Sequence, residues 1–178
     1  VEIFVAGEPL KDKNGQEIGY LRSEDFVQNT GSALNSYQKT VLTIFYANEE
    51  GTKLVKKKEN VRYNSNMSVE KVAVEQLIKG PSEGKERATI PKEAKLLGVS
   101  IRDHICYVNF DEGFLMEGYS MDPQLTITSL VNSIIACGNA SQVQISVDGE
   151  TDVMFRGVVD LSRPLSKNTE VSEETESY

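Results

Sequence analysis

The chain has 178 residues, with 19 basic against 27 acidic side chains and a formal net charge of −8. That balance argues against nucleic acid or an anionic lipid surface as partner, because both demand a basic face. Apolar residues make up 39% with no tryptophan, enough for a globular core but not a large one, and no run approaches the roughly 18 apolar residues of a membrane span.

In chain order, the first feature is a repeat. Residues 1–8 read V-x-I-x-V-x-G-E, and residues 143–150 read the same. Alternation ending in a glycine turn is a strand signature. The later copy closes a domain, so residues 1–22 are expected to be the terminal hairpin of a preceding, truncated copy, turning at Asn14-Gly15 and returning over residues 18–21. Residues 23–40 open with a capped helical turn at Ser23-Glu24-Asp25-Phe26. They become rich in Ser, Asn and Gly, and read as a linker.

Residues 41–47 (Val-Leu-Thr-Ile-Phe-Tyr-Ala) are a β-rich run, expected as a central strand. Leu54-Val55 and Val61-Arg62-Tyr63 are weaker strand segments, and Lys56-Lys57-Lys58 between them reads as a solvated sheet edge. A helix is expected after Ser68, whose hydroxyl can cap it, with Glu70 suiting the positive end of its dipole. Val69, Val72, Ala73, Leu77 and Ile78 form one apolar stripe, and Gly80-Pro81 stops the helix.

Leu97, Val99 and Ile101, then Cys106, Val108 and Phe110, alternate with other residues on either side of Asp103-His104. That is a hairpin with a two-residue turn. Residues 111–122 form an acidic and apolar connection. Asp122 then caps a second helix, with Pro123 at its first position. Its apolar stripe is Ile127, Leu130, Val131, Ile134 and Ile135, and Gly138 ends it. Residues 142–147 are a strand, Asp148-Gly149 a turn, and residues 154–160 an edge running back alongside. Residues 164–178 hold one lysine and four glutamates and read as a disordered acidic tail. The order strand, helix, two strands, helix, strand predicts an α+β two-layer sandwich.

No catalytic residue, cofactor site or metal ligand is assigned. There is no GxSxG, Walker loop, HExxH or GxGxxG. His104, the single histidine, sits at a hairpin tip with nothing to desolvate and tune it. Asp111, Glu112, Glu117 and Asp122 lack the spacing of a calcium loop and read as a solvated acidic connection. Cys106 and Cys137 read as small buried hydrophobes. Phe114, Leu115, Met116, Tyr119 and Met121 are many apolar side chains for an exposed connection. Either they fold over the open end of the helices as extra core, or some of them form a contact patch for a partner chain. A glycan-binding reading needs an aromatic platform, for which Tyr119 and Phe114 are the main candidates. A wall hydrolase would need a defined carboxylate pair.

Several segments together resemble the GerMN domain: residues 69–84 with their Gly80-Pro81 loop, Thr89-Ile90-Pro91 with Lys95-Leu96-Leu97, Cys106-Tyr107-Val108-Asn109-Phe110-Asp111, Val131-Asn132-Ser133, and residues 143–150. The resemblance covers residues 41–163. It implies a ring-building-motif-like αββαβ core with flanking strands, in a GerM-type lipoprotein of two tandem domains. It further implies a non-enzymatic, extracytoplasmic role in assembling a sporulation or germination membrane complex. The implied partners are envelope or sporulation-complex proteins and further copies of itself, with the membrane reached through a lipid upstream of this chain. Related domains in other envelope lipoproteins imply a second possibility, a sensor-accessory or wall-binding domain. One position departs from the family pattern: His104 stands where the family usually has glycine, which bears on the turn geometry.

Overall fold

The computed structural model describes residues 36–169, together with the backbone pairing of residues 4, 5, 8, 9, 172 and 173. The chain divides into two compact units, Val1–Tyr37 with Asn64–Asn66, and Gln38–Tyr63 with Met67–Tyr178. In the first unit, β1 (Phe4–Val5) pairs antiparallel with β2 (Glu8–Pro9), placing Val5 opposite Glu8. The second copy of the repeat makes the equivalent pair, Val147 opposite Glu150. There Asp148 and Gly149 supply positive φ values of 49° and 86°, as a tight two-residue reversal requires. The expected turn at Asn14-Gly15, the strand at residues 18–21 and the helical turn at residues 23–26 lie outside the described residues.

β3 (Tyr37–Ala47) and β4 (Leu54–Asn64), in the second unit from Gln38 and up to Tyr63, are neighbours in one sheet. The Asn48 side chain closes the turn between them by accepting from the Thr52 and Lys53 amides at 2.8 and 3.2 Å. The two weak strand segments are therefore one strand of 11 residues, and β3 begins inside the expected linker. Pairing with a neighbour overrides the polar composition of residues 37–40. The lysine run lies mid-strand and obeys its period of two. Lys56 and Lys58 are exposed, whereas Lys57 turns to the other face, 3.0 Å from the Glu86 carboxylate and bonded to the Glu83 carbonyl. Glu59, on that same face, is buried and accepts from the Ser82 amide and hydroxyl at 3.2 and 2.7 Å. Together Lys57 and Glu59 hold the loop after the first helix against β4.

Helix α1 (Val69–Lys79) starts where Ser68 accepts from the Lys71 amide, at 3.2 Å, and ends at Gly80, φ 87°. Strands β5 (Leu96–Arg102) and β6 (Ile105–Phe110) form the expected hairpin, with Asp103 and His104 at φ 51° and 60°. A register shift between Leu96 and Gly98 makes Leu97 a bulge. Leu97 is consequently 53% exposed, while Leu96, opposite Phe110, packs on the core. Strict alternation missed this, because one extra residue flips the face of everything before it.

Helix α2 (Pro123–Ile135) carries the chain from β6 to β7 (Gln142–Val147), which pairs parallel with β6. Parallel neighbours require such a crossover. The αββαβ core is thus present, with the two helices over a sheet ordered β10–β7–β6–β5. Every residue from Leu125 to Ile134 is buried, so α2 is more than an amphipathic roof. Its polar positions face neighbours instead of water. Thr126 Oγ1 donates to the Thr89 carbonyl at 2.9 Å, and the Ser129 and Thr89 hydroxyls meet at 2.6 Å.

Strand β3 does not join that sheet. It is an edge of a second sheet, ordered β11–β4–β3, in which β11 (Ser172–Glu173) pairs parallel with Leu54 and Val55. Toward its C-terminal end the outward backbone groups are spoken for: the Phe45 amide donates to Ser133 Oγ at 2.9 Å, the Phe45 carbonyl accepts from Ser129, and Ala47 exchanges backbone bonds with Arg87. The expectation of a central strand rightly anticipated burial but not the neighbours. Residues 154–160 also differ from expectation, folding into their own hairpin of β8 (Met154–Phe155) and β9 (Val159–Asp160).

The expected acidic tail begins with ordered backbone. β10 (Leu165–Ser166) pairs antiparallel with Val143 and Gln142. Asn132, wholly buried on α2, donates to the Asn168 carbonyl at 2.6 Å and accepts from its amide at 3.0 Å. A buried carboxamide needs both kinds of partner, and this segment supplies them.

Candidate functional site

The connection from β6 to α2 is the stretch that the sequence singles out, and its start is pinned on both sides. The Asp111 amide donates to the Lys95 carbonyl at 3.0 Å, and the Lys95 amide donates to Asp111 Oδ1 at 2.8 Å. A single 3-10 turn, Glu112–Leu115, follows. It drives Phe114 into the core, where its ring stacks on Phe110 at 4.2 Å and tilts against Phe155 at 4.8 Å.

The five apolar residues do not form one surface. Phe114 is fully buried, Leu115 packs partly buried on the same core, and Met116 is 42% exposed. Met121 is buried in a second cluster with Phe45, Ala47, Leu54 and Leu125, and Tyr119 lies half-buried against that cluster. Of the two readings, the core reading therefore holds for Phe114 and Met121. Neither can meet a partner without unfolding the loop, and Phe114 cannot serve a glycan platform. Met116 alone of the five presents a largely open side chain.

Sequence reasoning missed the residue that organises this loop. Arg156, in the β8–β9 turn at φ 47°, donates through Nη1 to the Tyr119 carbonyl at 3.1 Å and the Met121 carbonyl at 2.7 Å. Its guanidinium lies 5.3 Å from the Tyr119 ring centre and 5.1 Å from that of Phe155. Nε and Nη2 are buried with no hydrogen-bond acceptor, and these two ring faces offset the missing acceptors. Burial lowers the Arg156 pKa, opposed by Tyr119 and Asp122. No local pattern announces such a residue; an arginine in a turn normally faces water.

Tyr119 is held from the other side too. Its hydroxyl donates to the Ala88 carbonyl at 2.7 Å. Burial raises its pKa, and the charges of Arg87 and Arg156 oppose that. Arg87 also donates to the Ser120 hydroxyl at 3.3 Å. The loop is thus fastened by Lys95, by the adjacent Arg87 and Ala88, and by Arg156, on three different segments.

The remaining singled-out residues stand apart. His104 is exposed at the hairpin tip, and its carbonyl accepts from the Ser141 amide at 2.9 Å. Asp122 caps α2 by accepting from the Leu125 amide at 3.1 Å. Cys106 and Cys137 are free thiols, both pushed up to about 12, chiefly by burial. Glu70, in the first turn of α1 as expected, is buried there and accepts from Asn139 Nδ2 at 2.7 Å. Among the described residues, no three of His, Cys, Asp and Glu are grouped so as to hold a metal ion, and no helix is long and apolar enough to cross a membrane.

The sequence profile of the Germane family, described as sporulation and spore germination, matches residues 43–153. Among solved structures, the tandem GerMN domains of the sporulation protein GerM from Bacillus subtilis share 20% identity at a TM-score of 0.62. That match covers 94% of this chain, and this chain spans 61% of the tandem protein's length. A candidate lipoprotein of Clostridium perfringens shares 22% identity at a TM-score of 0.53, over 72% of this chain and 88% of its own. The first GerMN domain of Bacillus subtilis GerM shares 17% identity at a TM-score of 0.54, over 71% of this chain and 97% of its own. At these identities the likeness is one of fold. No curated protein matches the chain.

Proposed function

The chain belongs to the Germane family of sporulation and spore germination, and from that premise we propose that it is a non-catalytic interaction module of an extracytoplasmic envelope protein, supporting assembly of a sporulation or germination membrane complex. The observation that carries the reading is how the polar groups of the 111–122 loop are used. Asp111, Tyr119 and Asp122, with Arg156 across from them, are bonded to backbone groups that hold the loop in place. Groups committed in this way build a surface; they are not poised around a reacting atom. The likeness in fold to a candidate lipoprotein and to GerM supports an envelope setting, with attachment through a lipid upstream of these residues.

The test sets two binding assays side by side. Immobilised chain is challenged with detergent-solubilised envelope proteins after cross-linking, and soluble chain is sedimented with purified peptidoglycan. Retention of a membrane-complex protein without co-sedimentation supports the reading. Co-sedimentation with peptidoglycan and no protein retained would replace it with a wall-binding domain.

A further inference from the structure

The lysine run on β4 takes no part in the loop described above. β4 has 11 residues, and β11, the strand on its outer side, has 2. Among the described residues no other strand lies on that side. Lys56, Lys58, Asn60 and Arg62 are exposed, while Val55, Lys57, Glu59 and Val61 between them are half-buried or buried. The alternation is unbroken, so the four exposed residues share one face. Glu59 is the one acid between Leu54 and Asn64, and it points to the other face. In a chain of net charge −8, the open face of β4 is basic.

β11 brings an acidic segment to this edge in a defined register. Ser172 pairs with Leu54 and Glu173 with Val55, in parallel. Continued without a break, that register sets Glu174 opposite Lys56, Glu176 opposite Lys58 and Tyr178 opposite Asn60. Opposite residues of a pleated pair project to the same face, so both glutamates fall on the side of the exposed lysines. Thr175 and Ser177, both short, fall on the side of Lys57 and Glu59, which the 82–86 loop holds. Asn60 lines a cavity of about 400 Å³ together with Val41, Val61 and Arg62, so Tyr178 would meet apolar side chains there. We propose that residues 174–178 of this chain extend β11 along β4, Glu174 on Lys56 and Glu176 on Lys58, and that the tail thereby covers an edge suited to an acidic parallel strand. Lysine on an edge deters an ordinary strand, but it admits one whose glutamates arrive in register. Tethered through β11, the tail occupies the edge at high effective concentration, and an acidic segment of another protein takes that edge only by displacing it. The inference concerns a contact within one chain and stands apart from the proposed function.

Zero-length carbodiimide cross-linking of the 178-residue chain, as an equal mixture of isotope-labelled and unlabelled protein, tests this by mass spectrometry of the linked peptides. Lys56–Glu174 and Lys58–Glu176 links are expected to outnumber links from the tail to the exposed Lys85 and Lys92 by about tenfold. Each should join two labelled or two unlabelled peptides. Links of mixed label put the tail of a second copy on the edge and overturn the proposal, as do links spread evenly over the lysines. Hydrogen exchange gives an independent reading. Lys56→Glu with Lys58→Glu, at two exposed positions, should speed exchange at residues 174–177 by about tenfold. Adding Glu174→Lys and Glu176→Lys should slow it again, because the charges are then exchanged in place. Exchange at these residues that is the same in all three proteins overturns the proposal. The cross-links are read on the unmodified chain, so they decide the matter should a variant fail to fold.

Discussion

The Phe45 amide ends on the Ser133 hydroxyl, 2.9 Å away in the interior. An edge strand would ordinarily turn that amide to water or to another strand. Here a serine on α2 takes the place of a strand. Ser133→Ala should therefore leave a buried donor unsatisfied and lower stability by about 1–3 kcal/mol. Urea denaturation checks this, with Ser141→Ala, an exposed hydroxyl 3.4 Å from the His104 carbonyl, as a control expected to change little.

Arg156 is a clamp built from two hydrogen bonds and two ring faces. Arg156→Ala should cost about 2 kcal/mol and speed amide exchange over residues 117–122, leaving α1 unchanged. Arg156→Lys should rescue little, because an ammonium cannot lie flat between two rings while reaching two carbonyls. Full rescue by lysine would reduce the contact to simple charge.

Met121 and Met116 separate core from surface within one loop. Met121, 3% exposed, should cost about 3 kcal/mol on conversion to serine, from lost apolar burial plus a cavity. Met116→Ser, at an exposed position, should change stability by less than about 0.5 kcal/mol. Any loss of partner binding seen with Met116→Ser then reports on the surface itself.

His104 holds φ at 60°, where side chains other than glycine are strained. His104→Gly should raise stability by about 0.5–1 kcal/mol, read as a higher thermal midpoint with the same unfolding cooperativity. The unfolded glycine is more flexible, which trims the gain.

Buried Cys106, half-buried Cys137 and buried Tyr46 bear on the alkaline limit. In the unfolded chain thiols titrate near 9 and the phenol near 10, whereas burial pushes Cys106, Cys137 and Tyr46 up to about 12. The folded state thus holds these protons more tightly. Their contribution is complete below pH 9 and is lost as pH rises from about 9 to 12. Urea midpoints should be flat from pH 7 to 8.5 and fall above pH 9. At pH 8 both thiols should resist alkylation until urea is added.

The elements legible in the sequence are those whose causes are local. Ser68 and Gly80 bound α1, Asp122 and Pro123 start α2, and Asp103-His104 turn the β5–β6 hairpin; each acts within four residues of itself. The repeat was legible for the same reason, and its two copies make the same pairing, Val5 opposite Glu8 and Val147 opposite Glu150. The loop residues were singled out by composition, but composition cannot say which side of a chain faces inward. Phe114 is core because a 3-10 turn aims it at Phe110, and Leu97 is exposed because a bulge shifts it.

The amino-acid order by itself determined where helices and hairpins begin and end, because caps, glycines and periodicity bias φ and ψ before any distant contact forms. The tertiary structure alone decided that β3 sits beside α2, that Arg156 grips a loop some 35 residues away in sequence, and that residues 165–168 dock on β7 and Asn132. Those outcomes turn on which buried donor meets which acceptor, and that pairing exists only once remote segments have been brought together.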